Sequence, residues 1–404
     1  VNVIVIWQSL VVSAYRSFWV HLANSIKGSV TAVVPHEFWE LGGQMVTCAP
    51  FSEQWEQRIE THVLKVRAPH IQMVWFQGLA RVFRSFARRS RQSATTQSSP
   101  TVLVALMEPY SLSALFVFLL ARVFLPRGTR ILFYSLQNIY KEFSLPLRLI
   151  QNFIFASSPS LLALSQEVTD VLRKQGYKGR IIRFPLWADS SLFYLNSAQS
   201  GVAHSSSGAS PSQHPAAATP KRIRVGFCGA VTESKGVPDL LAALEMLSPE
   251  ELSRIHFEIA GGGPVLEEAR NCLTALSSRG LEFTLHGPVP ATALPQFFNA
   301  LDLLVVPSRT ESHWKEQFGR VIVEAWACGA TVIGSHSGEI PVLLAQPELI
   351  FEERNPQALL HVLRGVLARG PSAEVRAQNV RNAQPYLDLN VAAQFARELS
   401  ALAR

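Results

Sequence analysis

The chain has 404 residues, 48% of them hydrophobic and 17% charged, which is material for two domains with sizeable cores. Its longest apolar run, Ala114 to Ala121, falls far short of the ~20 residues a helix needs to cross a bilayer, so an integral span is excluded. The net charge of +7 is unevenly placed: residues 1 to 200 carry 20 Lys and Arg against 10 Asp and Glu, whereas the remainder carries 17 against 20.

A basic first half is expected to meet something anionic. No zinc finger, helix-turn-helix or aromatic-and-basic module accompanies the charge, so nucleic acid is not an expected partner. An anionic membrane surface or a phosphate-bearing acceptor fits it. The four cysteines (Cys48, Cys228, Cys272, Cys328) lack paired or metal-ligand spacing and read as buried free thiols of a reducing compartment. The first residues show no charged, apolar, small leader pattern. The expected location is therefore the cytoplasm.

Residues 2 to 7 (NVIVIW) and 29 to 35 (SVTAVVP) read as strands flanking a helix from about Ser9 to Ile26, the opening of a doubly wound domain. Residues 78 to 92 form a basic amphipathic segment, with Leu79, Val82, Phe83 and Phe86 on one face and Arg81, Arg84, Arg88, Arg89 and Arg91 around the rest. It is either a domain helix with a solvated basic side or a helix lying on the inner face of an anionic membrane. A strand at Val102 to Leu106, a helix at Leu112 to Phe124 and a strand at Arg130 to Tyr134 follow. Glu108 lies just past the first of these strands, and Gln137 and Asn138 just past the second. They are acceptor-side candidates, with turn chemistry and helix capping as the plain alternative.

A strand from Leu161, a helix from Ser165 to Lys174 and a strand from Arg180 to Phe184 close the first domain, expected over residues 1–190. Residues 197 to 220 are Ser, Ala, Gly and Pro with almost no large apolar side chain, so 191–222 reads as a flexible linker. The second domain, 223–385, opens with a strand at Ile223 to Cys228 and a loop holding Gly229 and Lys235. Gly261, Gly262 and Gly263 lack the spacing of a dinucleotide fingerprint. The last residues are largely helical, and 386–404 is expected as a terminal helix crossing back to the first domain.

The stretch from Asp302 to Pro341 carries the most chemistry. The run Leu303 to Val306 reads as a strand buried on both faces, Phe318 to Cys328 as a buried helix stopped by Gly329, and Thr331 to Ile333 as a second strand. Parallel strands put both connecting loops at one end, where ligands bind in open α/β sheets. The helix is apolar nearly all round yet holds Glu324, and a buried carboxylate costs several kcal/mol, of order ~5, unless it is well partnered. Its side chain leans toward the helix start, where the N–H groups of Phe318, Gly319 and Arg320 form an anion site. A carboxylate one turn behind a phosphate pocket is placed for the vicinal hydroxyls of a ribose. Pairing to an arginine is the alternative. Glu316 is a second carboxylate in the loop ahead of the helix.

This stretch, PSRTESHWKEQFGRVIVEAWACGATVIGSHSGEIP, resembles the signature of glycosyltransferase family 4: Pro-Ser, Glu-x-Phe-Gly, Glu-Ala-x-Ala-x-Gly, then Gly-x-Ile-Pro. The resemblance implies an α/β protein of GT-B fold, with two Rossmann-like doubly wound domains facing across a cleft. It implies retaining transfer of a sugar from a nucleotide diphosphate sugar to a hydroxyl of a glycan or lipid-linked acceptor, in polysaccharide or glycolipid synthesis. No cofactor and no metal are expected. By the same resemblance Lys235 meets the diphosphate, Glu316 holds the transferred sugar, Glu324 the ribose, and the backbone at Val289 lies along the base. Gly229, Phe318, Gly319 and Arg320 complete the donor side. The chain departs from the pattern in three places. Gln8-Ser9-Leu10-Val11 stands where a small glycine pair is usual, Met107 where a His is usual, and Ala230 where an Arg is usual. These departures motivate a second reading, an inactive scaffold or binding protein of the same fold; a nucleotide-sugar epimerase is a third.

Overall fold

The computed structural model describes residues 1–39, 45–51, 54–67, 73–92, 99–196 and 222–403. Of the segment read as a linker, residues 197–221 lie outside them. The chain forms two compact units, Val1–Asp189 with Tyr386–Arg404, and Ser190–Pro385.

In the first unit the elements are β1 (Asn2–Ile6), α1 (Ser17–Ser25), β2 (Val30–Pro35), β3 (Glu37–Trp39), β4 (Met45–Thr47), β5 (Glu60–Leu64), β6 (Val66–Arg67), β7 (Trp75–Phe76), α2 (Leu79–Gln92), β8 (Thr101–Ala105), α3 (Leu112–Phe124), β9 (Arg130–Ser135), α4 (Leu145–Ser157), β10 (Ser160–Ala163), α5 (Gln166–Lys174) and β11 (Arg180–Arg183). Seven strands make one sheet in the order β11-β10-β9-β8-β1-β2-β5. All its pairs are parallel. Buried β-branched and leucine runs such as Val3–Ile6 and Val102–Ala105 fill both faces, as parallel strands require.

The first helix begins later than its sequence suggests. Gln8–Val11 and Ser13–Tyr15 are 3₁₀ turns. The buried Arg16 holds them, donating to the carbonyls of Leu10 at 2.9 Å and Ala49 at 2.7 Å and pairing with Glu56 at 2.7 Å. A charged side chain saturated in this way is tolerated in a core. The place of the missing glycine pair is therefore filled by an anchored turn with Gln8, Leu10 and Val11 buried.

Helix α2 matches the basic segment, but its apolar face is not free. Leu79, Val82, Phe83 and Phe86 are buried, and α2 packs on α3. Residues 78–92 therefore cannot lay that face into a bilayer, and the solvated-helix alternative describes them.

The second unit contains β12 (Ile223–Cys228), α6 (Val237–Glu245), α7 (Pro249–Leu252), β13 (Ile255–Ala260), α8 (Leu266–Ser277), β14 (Glu282–Gly287), α9 (Leu294–Ala300), β15 (Leu303–Val306), α10 (Arg320–Ala327), β16 (Thr331–Ser335), α11 (Ile340–Leu344), β17 (Ile350–Phe351), α12 (Pro356–Arg369) and α13 (Ala373–Ala383). Its sheet runs β14-β13-β12-β15-β16-β17, again parallel throughout. The order reverses between β12 and β15, and the loops leaving the carboxyl ends of those two strands flank the ligand crevice of such sheets. Helix α14 (Asp388–Leu402) belongs to the first unit. It packs on α1, with Phe395 against Phe18 and Phe184, and an ion pair of 2.6 Å joins Glu398 to Arg180.

Candidate active site

The loops after β12 and β15 bring Lys235 and Glu316 together. Lys235 Nζ donates to Glu316 Oε2 at 2.8 Å, and Ser308 Oγ donates to the same oxygen at 3.0 Å. The ammonium also sits 4.7 Å from the centre of the Trp314 ring, a favourable cation–π position. The Lys235 loop is braced on both sides. Thr232 Oγ1 accepts from the Lys235 N–H at 3.2 Å, and the Arg309 N–H donates to the Ser234 carbonyl at 2.8 Å. Arg309 then grips Asp239, in the first turn of α6, through two bonds of 2.7 Å. Such a forked pair fixes both separation and orientation.

The Glu316 loop is held by the connection that follows β16. The Glu339 N–H donates to the Glu316 carbonyl at 3.2 Å, and Gly338 comes so close that a Cβ there would lie 1.8 Å from that oxygen. Gly338 also has φ of +55°, so close approach and backbone conformation both demand glycine.

Helix α10 begins at Gly319 without a side-chain cap. Glu324, only 4% exposed, meets Arg320 at 3.0 Å through Oε1. Its Oε2 is buried with no hydrogen-bond partner. Burial raises the Glu324 carboxyl above its ordinary range, and the Arg320 guanidinium only partly opposes this. Arginine pairing is thus realised for one oxygen, while the other is an orphaned acceptor, which in a folded protein calls for an explanation. Cys228, the last residue of β12, reports the same cluster: burial and the nearby Glu324 charge push its thiol up to about 12, against Arg320 and Lys235.

The other donor-side residues are placed less directly. Phe318 is buried at the helix start. The Gly229 N–H donates to the Ala260 carbonyl at 3.0 Å, so that glycine contributes backbone shape and no phosphate donor. Val289 follows the edge strand β14, two strands from β12. The triple glycine is structural: a Cβ on Gly261 would lie 1.8 Å from the Gly229 carbonyl oxygen. A cavity of about 630 Å³ lined by His336, Pro341, Phe351 and Glu353 lies toward β17 and includes none of the expected residues.

In the first unit Glu108 is half-buried and spans the ends of two strands. Ser135 Oγ donates to its Oε2 at 2.8 Å and the Leu136 N–H to its Oε1 at 2.7 Å. Burial lifts its carboxyl from 4.5 to about 7 despite those donors. Gln137 donates to the Ile139 carbonyl at 2.9 Å and leaves Oε1 buried without a partner. Asn138 donates to Glu167 at 3.2 Å. Met107 is buried, so no polar side chain replaces the usual His there.

Residues 222–369 match the family described as Glycosyl transferases group 1. That match lies within the second unit and takes in most of it. The match covers the Lys235–Glu316 pair, Glu324 and every bracing contact described around them. Two relatives are named D-inositol 3-phosphate glycosyltransferase. The one from Xylanimonas cellulosilytica is 31% identical over 144 residues, 35% of this chain and 33% of its own length. The one from Geodermatophilus obscurus is 32% identical over 153 residues, again 35% and 33%. The matched region thus spans about a third of these relatives. Over the whole chain the likeness is structural. Sucrose-phosphate synthase from Thermosynechococcus elongatus superimposes with a TM-score of 0.64 at 17% identity, covering 99% of this chain and 98% of that one. Anabaena HepE in complex with UDP gives 0.64 at 16%, covering 99% of both. The chain has the GT-B fold, and its group 1 match lies at residues 222–369.

The residues that sequence reading missed around this site are the braces. Asp239 and Arg309 are far apart in the chain, and neither carries a local signature of pairing. Ser308 and Gly338 did lie inside the signature run, at its Pro-Ser and Gly-x-Ile-Pro positions, and were legible as motif members without a role.

Proposed function

We propose that this chain is a retaining glycosyltransferase that moves a sugar from a nucleotide diphosphate sugar to an acceptor hydroxyl. The observation that carries the reading is the meeting of Lys235 and Glu316 at the reversal of strand order, just ahead of a helix whose buried Glu324 has an orphaned oxygen. The names of the relatives support it, as do HepE structures in complex with UDP and with UDP-glucose.

On this reading the donor's diphosphate lies between the Lys235 loop and the start of α10. As the glycosidic bond breaks, negative charge grows on the leaving diphosphate. Lys235, with two ammonium protons beyond the one given to Glu316, stabilises that charge more than the ground state. Glu316 accepts from hydroxyls of the transferred sugar, and Glu324 Oε2 from the ribose. Lys235 and backbone N–H groups take the part that a divalent ion plays elsewhere, so turnover should survive a chelator. The acceptor is a glycan or a lipid-linked sugar, met by the first unit, where Glu108 and Gln137 are its polar contacts.

Ala230 and Met107 favour a second reading, an inactive protein of the same fold that binds nucleotide. A thermal-shift series with UDP, GDP, ADP and their sugars tests binding, since a ligand raises apparent stability by mass action. Donor hydrolysis without acceptor then separates the two. No shift with any nucleotide would overturn both, and shifts without hydrolysis or transfer would leave the second.

A further inference from the structure

We propose that the outer face of α3 and α4, with the arginines of α2 beside it, seats this protein on an anionic lipid bilayer. The proposal is independent of the transfer reaction. Helix α4 reads LPLRLIQNFIFAS, yet only Gln151 and Ile154 of it are buried. Leu145 and Leu149, one helical turn apart, are 60% and 59% exposed, and Phe153 a turn further is 43% exposed. On the neighbouring α3, Leu119 and Val123 form a second stripe, 49% and 70% exposed. The stripes belong to one surface. Phe118 of α3 meets Phe153 of α4 at 5.2 Å, and α2 packs on the other side of α3, with Arg84 over the Phe124 ring at 4.3 Å. Single exposed leucines are ordinary, but contiguous stripes of this kind mark a contact surface.

Charge decides the occupant. From residue 78 to 157 the sequence holds 10 Lys and Arg against two acidic residues, Glu108 and Glu142, and Glu108 is half-buried, accepting from Ser135 and Leu136. Arg88, Arg91 and Arg148 are exposed around the apolar stripes. A second copy of the chain would bring the same positive face against itself, which like-charge repulsion opposes. An anionic bilayer offers both halves of the match: headgroups for the arginines and acyl chains for leucine, valine and phenylalanine. The apolar contact comes from α3 and α4, because α2 has spent its own apolar face on the core.

The test is co-sedimentation of the full chain with phosphatidylcholine vesicles, with and without phosphatidylglycerol. The native chain should pellet with the anionic vesicles, and high salt should weaken this without abolishing it. Val123→Gln, Leu145→Gln and Leu149→Gln together should lower vesicle affinity at least about tenfold at an unchanged melting temperature, because these side chains are exposed. Arg88→Gln, Arg91→Gln and Arg148→Gln together should remove the preference for phosphatidylglycerol. Protein that stays in the supernatant at low salt overturns the proposal, and so does a triple apolar variant that binds like the native chain. Light scattering that shows a dimer of the native chain and a monomer of the apolar variant would assign the face to a second copy instead.

Discussion

Lys235 and Glu316 are 81 residues apart in the chain and 2.8 Å apart in the fold. The separation follows from the topology. A loop after the first strand of a doubly wound sheet and a loop after its fourth become neighbours only because the strand order reverses between them. The pair is part-buried, so it is worth more as geometry than as stability. It presents a cation and a carboxylate oxygen within one hydrogen bond of each other, a suitable grip for a sugar with a phosphate on it.

Lys235→Ala should lower kcat roughly 10²-fold, the usual scale for loss of one charge-stabilising donor. The Arg usual at Ala230 is absent, and Arg320 is engaged with Glu324, so neither position offers a free cation in its place. Steady-state kinetics on the folded variant check this. Near-native turnover would show that the leaving group is stabilised elsewhere.

Glu324→Gln should weaken UDP binding about tenfold, since an amide accepts a hydroxyl less strongly than a carboxylate. Its effect on the ligand-free fold should be opposite in sign. Burial raises the Glu324 carboxyl, so the ionised form costs stability at neutral pH and a neutral isostere relieves that cost. Calorimetry and thermal melts on one preparation should show weaker binding with a melting temperature that does not fall. A variant that loses stability and binding together would mean that Glu324 serves α10 through Arg320 and not the ribose.

Much of this site was legible because chemistry fixes the residue types at short spacing: a strand, a carboxylate loop, and a helix with one acid on an apolar surface. What was not legible is long-range or fully packed. Arg309 and Asp239 form the firmest brace of the Lys235 loop, but an Arg and an Asp 70 residues apart look like two surface charges. The sequence suggests a helix from Ser9, since Leu10 and Val11 suit one; the buried Arg16 takes their carbonyls and delays the helix to Ser17. Helix α4 has apolar residues on nearly every side, without the polar face that marks a surface helix, so its sequence gives no face to assign. The same feature makes its exposed side informative.

The attachment of α14 should depend on pH. His21 of α1 lies 3.4 Å from Asp388, and the hydrogen bond to Asp388 raises its imidazole pKa despite partial burial. A raised histidine contributes stability that is full below its unfolded value and lost as pH rises through the folded one. Amides of Asp388–Leu402, corrected for intrinsic rate, should therefore exchange faster at about pH 8 than at about pH 6, and His21→Gln should flatten that dependence. Equal protection of the native chain at both values would show that the pair does not hold the helix.

Glu108 sets stability against activity. Its folded carboxyl titrates at about 7 against an ordinary 4.5, so the folded state binds the proton more tightly than the unfolded one. The stability this lends is full below about 4.5, declines as pH rises, and is gone above about 7, leaving a half-buried charge that destabilises the fold by at most about 3 kcal/mol at about pH 8. Glu108→Gln keeps an oxygen for the Leu136 N–H and places an amide where the Ser135 hydroxyl can turn to accept. Urea unfolding should then show the variant more stable than the native chain by up to about 3 kcal/mol at about pH 8, with little difference at about pH 5. If the same carboxylate takes a proton from the acceptor, kcat should fall in the variant under the conditions that make it more stable. A stability difference equal at both pH values would show that Glu108 does not titrate in this range, and a stabilised variant with native kcat would assign it to the joint between β8 and β9 alone.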